Sequence, residues 1–335
     1  MHVVIVGAGI GGLTLASALR GCDVTIIEQR PVAEGIGAGL MLHDEALDAL
    51  RSVEVDIVGQ KFSEFRLGLS GGREIRSIAR SGQAVTRSAL HSELLNAASH
   101  ASLRTSTTVK KFKESAEGVC VWLSDGDKVN ADFLVGADGL GSSIRKLLGS
   151  NARRRYSGET CWRGLSDLHS GQRNPIEIWG KGRRVGIVPL LSGTYIYLTH
   201  AVPAGAPRTP APTDEFLQPG FGVENLIQSV PEDAWIQHDL DELSNHTWGT
   251  HRVPLLGDAA HGFTPNLGEG AAQAILDAIY LAGNISGVWQ YPGPRYRRNV
   301  RIATMSRWVG RVGQANGVWA SVRDNMLSVL ARRPL

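Results

Sequence analysis

The chain has 335 residues, 42% of them apolar, and a formal net charge of +3. Its length predicts two lobes rather than one core, and its small net charge does not support a bulk nucleic-acid-binding role. The three cysteines are widely spaced and form no CxxC pair, which favours a protein without a metal site in the reducing cytoplasm. No apolar run is long enough to predict a membrane span.

The first predicted elements form a βαβ unit over residues 1–28. Residues 3–6 (VVIV) are β-branched throughout, which is typical of a strand buried on both faces. A helix is predicted over 11–20 from the helical spacing of its apolar residues, and a second strand over 24–27. A glycine-rich turn in this setting is typical of dinucleotide binding.

The turn of this unit has the sequence GAGIGG, which matches GxGxxG. In that motif Gly7 makes the turn, Gly9 lets a pyrophosphate approach the backbone, and Gly12 allows close helix packing. Glu28 ends the second strand, where a carboxylate can accept hydrogen bonds from both ribose hydroxyls. This favours FAD or NAD over NADP, with a solvated acid as the alternative. The residues predicted at this end of the cofactor are Gly7, Gly9, Ile10, Gly11, Gly12 and Glu28.

The middle of the chain is predicted to change from mixed to antiparallel structure. A helix is expected over 87–99 and a buried strand over 133–135, ending in Gly-Ala-Asp-Gly at 136–139. From about 156 to 202, β-branched and aromatic runs separated by Gly-rich turns predict an antiparallel sheet. The runs lie at 176–179, 184–188 and 195–198.

After the sheet, a proline-rich stretch at 203–212 is predicted to be a loop and residues from about 213 to 229 a helix. Residues 253–258 return to a buried strand and 270–282 to a helix, so the sheet lobe is inserted into a discontinuous first lobe. An arginine-bearing helical pattern follows. The arginine runs are interpreted as solvated faces, with an anionic substrate or a membrane surface as alternatives.

The predicted fold class is therefore α/β, with a Rossmann-like dinucleotide-binding domain, an inserted antiparallel-sheet domain and a C-terminal helix. The two lobes would share a cleft in which a cofactor and a substrate can meet. The predicted boundaries are 1–155 with 246–294 for the dinucleotide-binding domain, 156–245 for the sheet domain, and 295–335 for the C-terminal helical segment.

A second glycine-rich segment follows the strand that ends at Gly257, reading GDAAH and then PNLGEG at a helix start. Asp258 can bond a ribityl chain, and the amides at 268–271 can meet a flavin pyrimidine, where negative charge builds on reduction. A plain NAD enzyme needs no such site, which favours FAD; an ordinary strand–turn–helix is the alternative. Glu269 would oppose that charge, so its side chain should point away or be offset by a cation. The predicted residues are Gly257, Asp258, Pro265, Gly268, Glu269, Gly270 and Ala271.

Together the motifs resemble those of the class A flavoprotein monooxygenases, single-component aromatic hydroxylases and epoxidases with the p-hydroxybenzoate hydroxylase fold. The match consists of GAGIGG with Glu28, GADG at 136–139, and GDAAH with PNLGEG, in that order. Segments such as CWRG at 161–164 resemble the salicylate hydroxylase-like and zeaxanthin epoxidase-like branch. Glu269 and Leu276 depart from the family's usual Gln and Glu, and the chain is short for the group. The resemblance implies further FAD contacts at Gln29, Arg30, Gly39, Arg87, Asp138 and Gly139, with a solvated helix position as the alternative for Arg87.

The resemblance also implies an enzyme in which NADH or NADPH reduces FAD. A flavin C4a-hydroperoxide would then transfer one atom of O₂ to an aromatic or alkene small molecule. The alternatives are a reductase or cyclase of the same fold that inserts no oxygen, and a nonenzymatic FAD-binding protein. A monomer or homodimer is expected.

Candidates around the reacting ring come from both lobes. Pro265 and Phe263 are expected to exclude water, and His43 and His261 are nominated as bases for a phenol substrate. The sheet is expected to supply a substrate wall, with packing or surface positions as the alternative because the strand phase is open. The candidate wall residues are Arg184, Ile187, Tyr195 and Tyr197.

Overall fold

The first lobe is organised by a parallel sheet whose strands are β1 (His2–Val6), β2 (Asp23–Ile27), β6 (Ser102–Arg104) and β10 (Phe133–Gly136). Their order is β10-β1-β2-β6. The computed structural model describes residues 1–31, 39–205, 211–216, 220–285 and 291–331. Residues 3–6 are all buried, so the predicted βαβ unit and its buried first strand are confirmed.

The helices described in this lobe are α1 (Ile10–Ala18), α2 (Asp44–Arg51), α3 (Arg87–Ala97), α4 (Ser143–Leu147), α6 (Asp258–His261) and α7 (Gly270–Asn284). A Cβ at Gly11 of α1 would lie 3.3 Å from the Cβ of Ala274 in α7, so the glycine lets the two helices touch. The run at 253–258 continues the sheet beside β10 through one bridge, between Gly136 and Leu255. It is therefore shorter as a strand than predicted.

A small antiparallel sheet of β7 (Val109–Glu114), β8 (Val119–Leu123) and β9 (Lys128–Ala131) lies next to β10 and α4. Its inward side chains, including Val119 and Val121, belong to the same buried core as the parallel sheet. This sheet therefore extends the first lobe rather than forming a separate one.

The second lobe is built on a larger sheet, whose strands are β3 (Gly39–His43), β4 (Gln60–Leu69), β5 (Arg73–Thr86), β11 (Arg154–Ser166), β12 (Ile176–Trp179), β13 (Arg183–Leu190), β14 (Gly193–Ala201) and β15 (Ile236–Leu243). The order is β15-β11-β14-β13-β12-β4-β5-β3, antiparallel except between β12 and β4. The predicted antiparallel sheet is confirmed. It is larger than the predicted 156–245 segment because strands from residues 39–86 join it, a pairing that no local sequence pattern specifies.

The two faces of this sheet differ in chemistry. One face is apolar and includes Ile187, which packs with Ile178 and Ile196 under α5 (Glu224–Ser229). The predicted helix over 213–229 is divided into a short 3-10 turn at Thr213–Phe216 and α5, with residues 217–219 outside the described part of the chain. The predicted loop at 203–212 has no regular structure where it is described, and residues 206–210 lie outside that part.

The chain continues into two helices, α8 (Gly293–Gly313) and α9 (Gly317–Ala331), where one helical segment was predicted. A Cβ at Gly310 would lie 2.4 Å from Nδ2 of Asn266, so this glycine brings α8 into contact with the second cofactor motif. Among the described residues, no helix combines the length and the apolar character needed to cross a bilayer.

Candidate active site

The turn between β1 and α1 leaves room in front of the helix. Gly7 has a φ of +108°, and a Cβ there would lie 2.4 Å from the carbonyl oxygen of Ala137. A Cβ at Gly12 would lie 2.0 Å from the carbonyl oxygen of Gly7, so both positions require glycine. At Gly9 a Cβ would meet nothing within 4 Å. No side chain caps α1, so its N-terminal amides are available to an anion such as a pyrophosphate.

The carboxylate of Glu28 is held at the end of β2 by backbone amides. Its Oε2 accepts a hydrogen bond from the Ala8 amide, and its Oε1 accepts one from the Arg30 amide, both at 2.9 Å. The buried ring of His91 contacts the Ala8 carbonyl at 2.8 Å and so ties α3 to the same turn. Since each carboxylate oxygen can accept a second bond, Glu28 keeps acceptor capacity for a ribose. Gln29 and Arg30 are exposed beside it.

Asp138 has one carboxylate oxygen occupied and the other without a partner. Its Oδ2 accepts hydrogen bonds from the amides of Ser143 at 2.6 Å and Ile144 at 3.2 Å, at the start of α4. Its Oδ1 is buried and has no hydrogen bond within the described residues. A buried acceptor without a partner is costly, which makes this oxygen a candidate to bond a ligand. Gly139 follows with a φ of +75°.

Asp258 and Arg87 are two further charged candidates, at the starts of α6 and α3. Asp258 opens α6 directly after Gly257 and is exposed, while Arg87 opens α3 and is partly buried. Neither side chain has a hydrogen bond within the described part of the chain. Burial lowers the pKa of Arg87, and the charge of Asp258 opposes that shift. Two opposite charges without direct bonds can both bind a molecule that lies between them.

The second glycine-rich segment makes a tight turn into α7. Gly268 has a φ of +64°, and its amide donates to the carbonyl of Pro265 at 2.8 Å. No side chain caps α7, and a Cβ at Gly270 would meet nothing within 4 Å. Ala271 is half-buried in the first turn. The N-terminus of α7 is thus a second open position for negative charge.

Glu269, the acid next to this N-terminus, is neutralised as expected. Its Oε1 accepts a hydrogen bond from Arg80 at 2.5 Å, and its Oε2 lies 3.3 Å from Nε2 of His43 and accepts one from Gln273 at 2.8 Å. Burial raises the pKa of Glu269, but the bond to His43 and the charge of Arg80 more than reverse this and bring it to about 2. Arg80 also donates to the carbonyl of Leu267 at 3.0 Å, so the cation holds the turn as well.

His43 and His261 are both engaged by protein groups. Nδ1 of His43 accepts from the Ala46 amide at 3.4 Å while Nε2 faces Glu269. His261 is buried, with Nε2 2.5 Å from Asp277, and its ring stacks on Phe263 at a centroid distance of 5.8 Å. Phe263 is thus buried in an aromatic cluster, whereas Pro265 is exposed. The nomination of either histidine as a base stays a prediction, and these contacts give it no support.

The inner face of the large sheet carries the two predicted tyrosines. Tyr195 and Tyr197 are two residues apart on β14, and their rings lie 5.8 Å apart. A Cβ at Gly39 would lie 2.5 Å from the Tyr195 ring, and one at Gly268 would lie 3.3 Å from the methyl group of Met41. The two tyrosines and Met41 pack in one cluster, and Met41 connects that cluster to the turn that precedes α7. The Tyr197 hydroxyl itself donates to the buried carboxylate of Glu177.

Arg184 lies on the same face but is fully buried among protein groups. It forms ion pairs with Glu159 and Glu177, and it donates to Thr199 at 3.1 Å and to Asn266 at 2.6 Å. Burial alone would lower the pKa of Arg184, but the two carboxylates raise it above its ordinary value. Its contacts connect the sheet to the 265–270 segment, which is a positioning role. Ile187 lies on the opposite, apolar face.

Residues 1–291 match the family described as the FAD binding domain. The chain belongs to the class A flavoprotein monooxygenases. It is 34% identical to an aurachin C monooxygenase/isomerase of Stigmatella aurantiaca, over 99% of this chain and 94% of the relative. It is 32% identical to a 2-heptyl-3-hydroxy-4(1H)-quinolone synthase of Pseudomonas aeruginosa, over 98% and 93%. HpxO of Klebsiella pneumoniae, solved with FAD and uric acid, has the same fold, with a TM-score of 0.84, 22% identity and coverage of 99% and 97%.

This flavoprotein monooxygenase is an FAD-dependent oxidoreductase, and its described residues fit the cofactor. The uncapped N-terminus of α1, the unpartnered Oδ1 of Asp138 and the exposed Asp258 follow one another along the first lobe. At the end of this series the open N-terminus of α7 suits the flavin pyrimidine. The predicted contact of Arg87 with the cofactor stays a prediction.

The sequence did not single out three residues that the structure brings to the site. Arg163 of β11 lies opposite Tyr197 in the sheet and its charge acts on Tyr195, Met41 contacts the turn at Gly268, and Arg80 neutralises Glu269. For Arg163 a signal was present, since CWRG matches the family branch. Arg80 lies in a stretch of β5 in which most residues are exposed. Its partner, Glu269, is 189 residues away in sequence, so no local pattern could identify it.

Proposed function

We propose that this monooxygenase takes electrons from NADH or NADPH and inserts one atom of O₂ into a bicyclic aromatic nitrogen heterocycle, through a flavin C4a-hydroperoxide. The carrying observation is the cluster of Met41, Tyr195 and Tyr197, which Met41 connects to the turn before the open N-terminus of α7. A planar aromatic substrate suits such a wall. The relatives support the class of substrate, because their names contain a quinolone and uric acid is bound in HpxO.

In this proposal the chain binds, orients and shields rather than reacting itself. The N-terminus of α7 stabilises negative charge on the pyrimidine ring, and Arg80 cancels the charge of Glu269 that would otherwise oppose it. Burial raises the pKa of Tyr195, and the charge of Arg163 opposes that shift. Because its raised pKa keeps the Tyr195 hydroxyl protonated, its proton can bond a carbonyl or ring nitrogen of the substrate.

The deciding experiment follows the oxygen atoms. The FAD-loaded enzyme is incubated with NADH or NADPH and 4-quinolones or purines under ¹⁸O₂, and the products are analysed by mass spectrometry. One labelled atom per product molecule is expected, with NAD(P)H oxidation that depends on the substrate. Anaerobic product formation, or oxygen derived only from water, would instead establish the reductase or cyclase alternative. Absence of substrate-dependent turnover across the panel would favour a nonenzymatic flavoprotein.

A matched pair of tyrosine variants tests the wall. Tyr195→Phe removes a hydroxyl that faces the proposed substrate position, and a loss of about tenfold in kcat/KM is expected from one missing hydrogen bond. Tyr280→Phe is the control, because its ring packs against that of Tyr291 in the C-terminal half of α7. Equal effects of the two substitutions would remove Tyr195 from the substrate wall.

A further inference from the structure

The last described helix leaves its apolar side uncovered. The exposed apolar side chains of α9 are Val318 (78%), Trp319 (76%), Val322 (41%), Met326 (61%) and Val329 (57%). At about 3.6 residues per turn these positions share one side of the helix, and Ala320 and Arg323 on the other side are buried. An amphipathic helix normally buries such a side, so this one presents its apolar surface to a partner.

The preceding helix continues the exposed surface. Met305, Trp308 and Val312 of α8 are 57%, 62% and 38% exposed, on the side opposite Ser306 and Gly310, which are buried. Residues 314–316 join α8 to α9, so the two exposed sides are neighbours in the chain. We name the eight exposed apolar residues of α8 and α9 the outer surface.

The segment that carries the outer surface is strongly basic. Residues 291–335 contain nine arginines and one acidic residue, Asp324, in a chain whose net charge is only +3. Arg297, Arg301 and Arg311 are exposed on α8 beside Trp308, and α8 contains no acidic residue. The rest of the chain is therefore net acidic. Among the described arginines of this segment, Arg295 and Arg323 are buried and Arg298 and Arg307 are paired with Glu45 and Glu242. The exposed positive charge beside the apolar side chains of α8 therefore comes from Arg297, Arg301 and Arg311.

We propose that the outer surface binds peripherally to a bilayer that contains anionic lipids, with α9 and the end of α8 lying in the headgroup region. Apolar and aromatic side chains on one side and arginines beside them are the combination that favours this position, and tryptophan is enriched at the membrane interface. A second copy of the chain is a poorer occupant, because a two-fold contact would place arginines against the same arginines. Anionic headgroups complement that charge.

The position of α8 connects this surface to the active site. On its inner side, Ser306 bonds to the Thr264 hydroxyl at 3.1 Å, and Asn266 donates to the Ser306 carbonyl at 3.0 Å. The segment in front of the flavin and the proposed membrane surface therefore share one helix. An enzyme docked in this way would receive a lipid-soluble substrate directly from the bilayer.

Flotation of the FAD-loaded full chain with vesicles tests the proposal. Partition into phosphatidylcholine vesicles containing phosphatidylglycerol should exceed partition into pure phosphatidylcholine by about tenfold or more, since each arginine near an anionic surface contributes about fivefold. The difference should shrink when the Debye length is reduced with salt. Equal partition, or none into either vesicle, would overturn the proposal.

Variants assign the binding to the outer surface. The triple substitution Trp319→Ser, Val322→Ser and Met326→Ser should abolish flotation, whereas Leu168→Ser with Leu191→Ser, exposed elsewhere at 50% and 57%, should not. FAD content is measured for each variant to exclude misfolding. Sedimentation equilibrium decides about a second copy: a dimer that dissociates on the triple substitution would overturn the proposal, and an unchanged state supports it.

A double arginine substitution completes the test without altering the apolar residues. Arg297→Gln with Arg301→Gln should lower partition into anionic vesicles by about tenfold or more. Arg76→Gln with Arg173→Gln, which removes two exposed arginines from the sheet lobe, should change it little. If the two pairs have equal effects, the binding is a property of net charge, and the outer surface is not the site.

Discussion

The polar groups at the edge of the parallel sheet and those on the inner face of the large sheet differ in how they are satisfied. At the edge, Asp138 keeps a buried oxygen without a partner, and the side chains of Asp258 and Arg87 make no hydrogen bond in the described chain. On the sheet face, Arg184 bonds two carboxylates and Asn266. We therefore expect the ligand at the unsatisfied groups of the edge, and we assign the bonded groups of the sheet face to holding the 265–270 segment in place.

The largest effect should come from breaking the saturated network. Arg184→Met leaves Glu159 and Glu177 buried without their cation, and a decrease of about 3–5 kcal/mol in the free energy of unfolding is expected. Arg183→Met is the control: its ion pair with Glu215 lies at the surface and should contribute about 0–1 kcal/mol. Urea unfolding of the FAD-loaded proteins measures both. A small loss for Arg184→Met would contradict the distinction between the two regions.

A smaller effect, on binding rather than folding, is expected at the unsatisfied edge. Glu28→Ala removes the proposed acceptor for the ribose hydroxyls and should weaken FAD binding by about 1–3 kcal/mol, measured by titrating the apoprotein with FAD. Asp23→Ala, at the other end of β2 and exposed, should leave the affinity unchanged. Unaltered FAD affinity in Glu28→Ala would remove this residue from the site.

The contrast also explains what could be predicted from the sequence. GxGxxG and Glu28 lie within one βαβ unit, so local spacing was enough to place them. The network around Arg184 depends on the register of distant strands: Gly186 lies opposite Tyr197, and a Cβ there would be 1.9 Å from the tyrosine ring. Arg184, Tyr195 and Tyr197 were named from the sequence. That these three side chains share one face of the large sheet, while Ile187 lies on the other, depends on which residues of each strand point to which face, and the sequence did not determine this.

Substitution of Glu269 tests whether Arg80 cancels the negative charge next to the open N-terminus of α7. Glu269→Gln leaves Arg80 without its carboxylate, and the extra positive charge should raise the flavin two-electron potential by about 30 mV, equivalent to about 1.4 kcal/mol. Glu74→Gln, on the same strand as Arg80 and paired at the surface with Arg66, should leave the potential unchanged. A spectroscopic redox titration measures it. A shift to lower potential would contradict the assigned role of Arg80.

The same substitution should also change how the free energy of unfolding depends on pH below 4.5. The folded-state pKa of Glu269 is about 2, below its ordinary value of 4.5, so its contribution to stability is complete above pH 4.5 and is lost as the pH falls towards 2. The free energy of unfolding should therefore decrease more steeply in that window for the wild type than for Glu269→Gln. Identical slopes would show that the carboxylate is not held by His43 and Arg80.

The smallest expected effect concerns His246, which lies behind the second cofactor motif with its ring centroid 6.3 Å from that of His261. Burial and the charges of His261 and Arg307 together lower the pKa of His246 to about 4, against the opposing effect of Glu242. Between pH 6.5 and 4 the unfolded chain takes up a proton that the folded protein does not, so stability falls as the pH falls through this window. His246→Gln should remove this part of the dependence, a difference on the order of 1 kcal/mol after allowance for partial exposure. The exposed His100→Gln is the control, and urea unfolding at several pH values is the measurement. A steeper dependence of the free energy of unfolding on pH in His246→Gln than in the control would mean that the folded protein protonates this ring readily. The region behind the motif would then resemble the unsatisfied edge of the parallel sheet rather than the bonded network around Arg184.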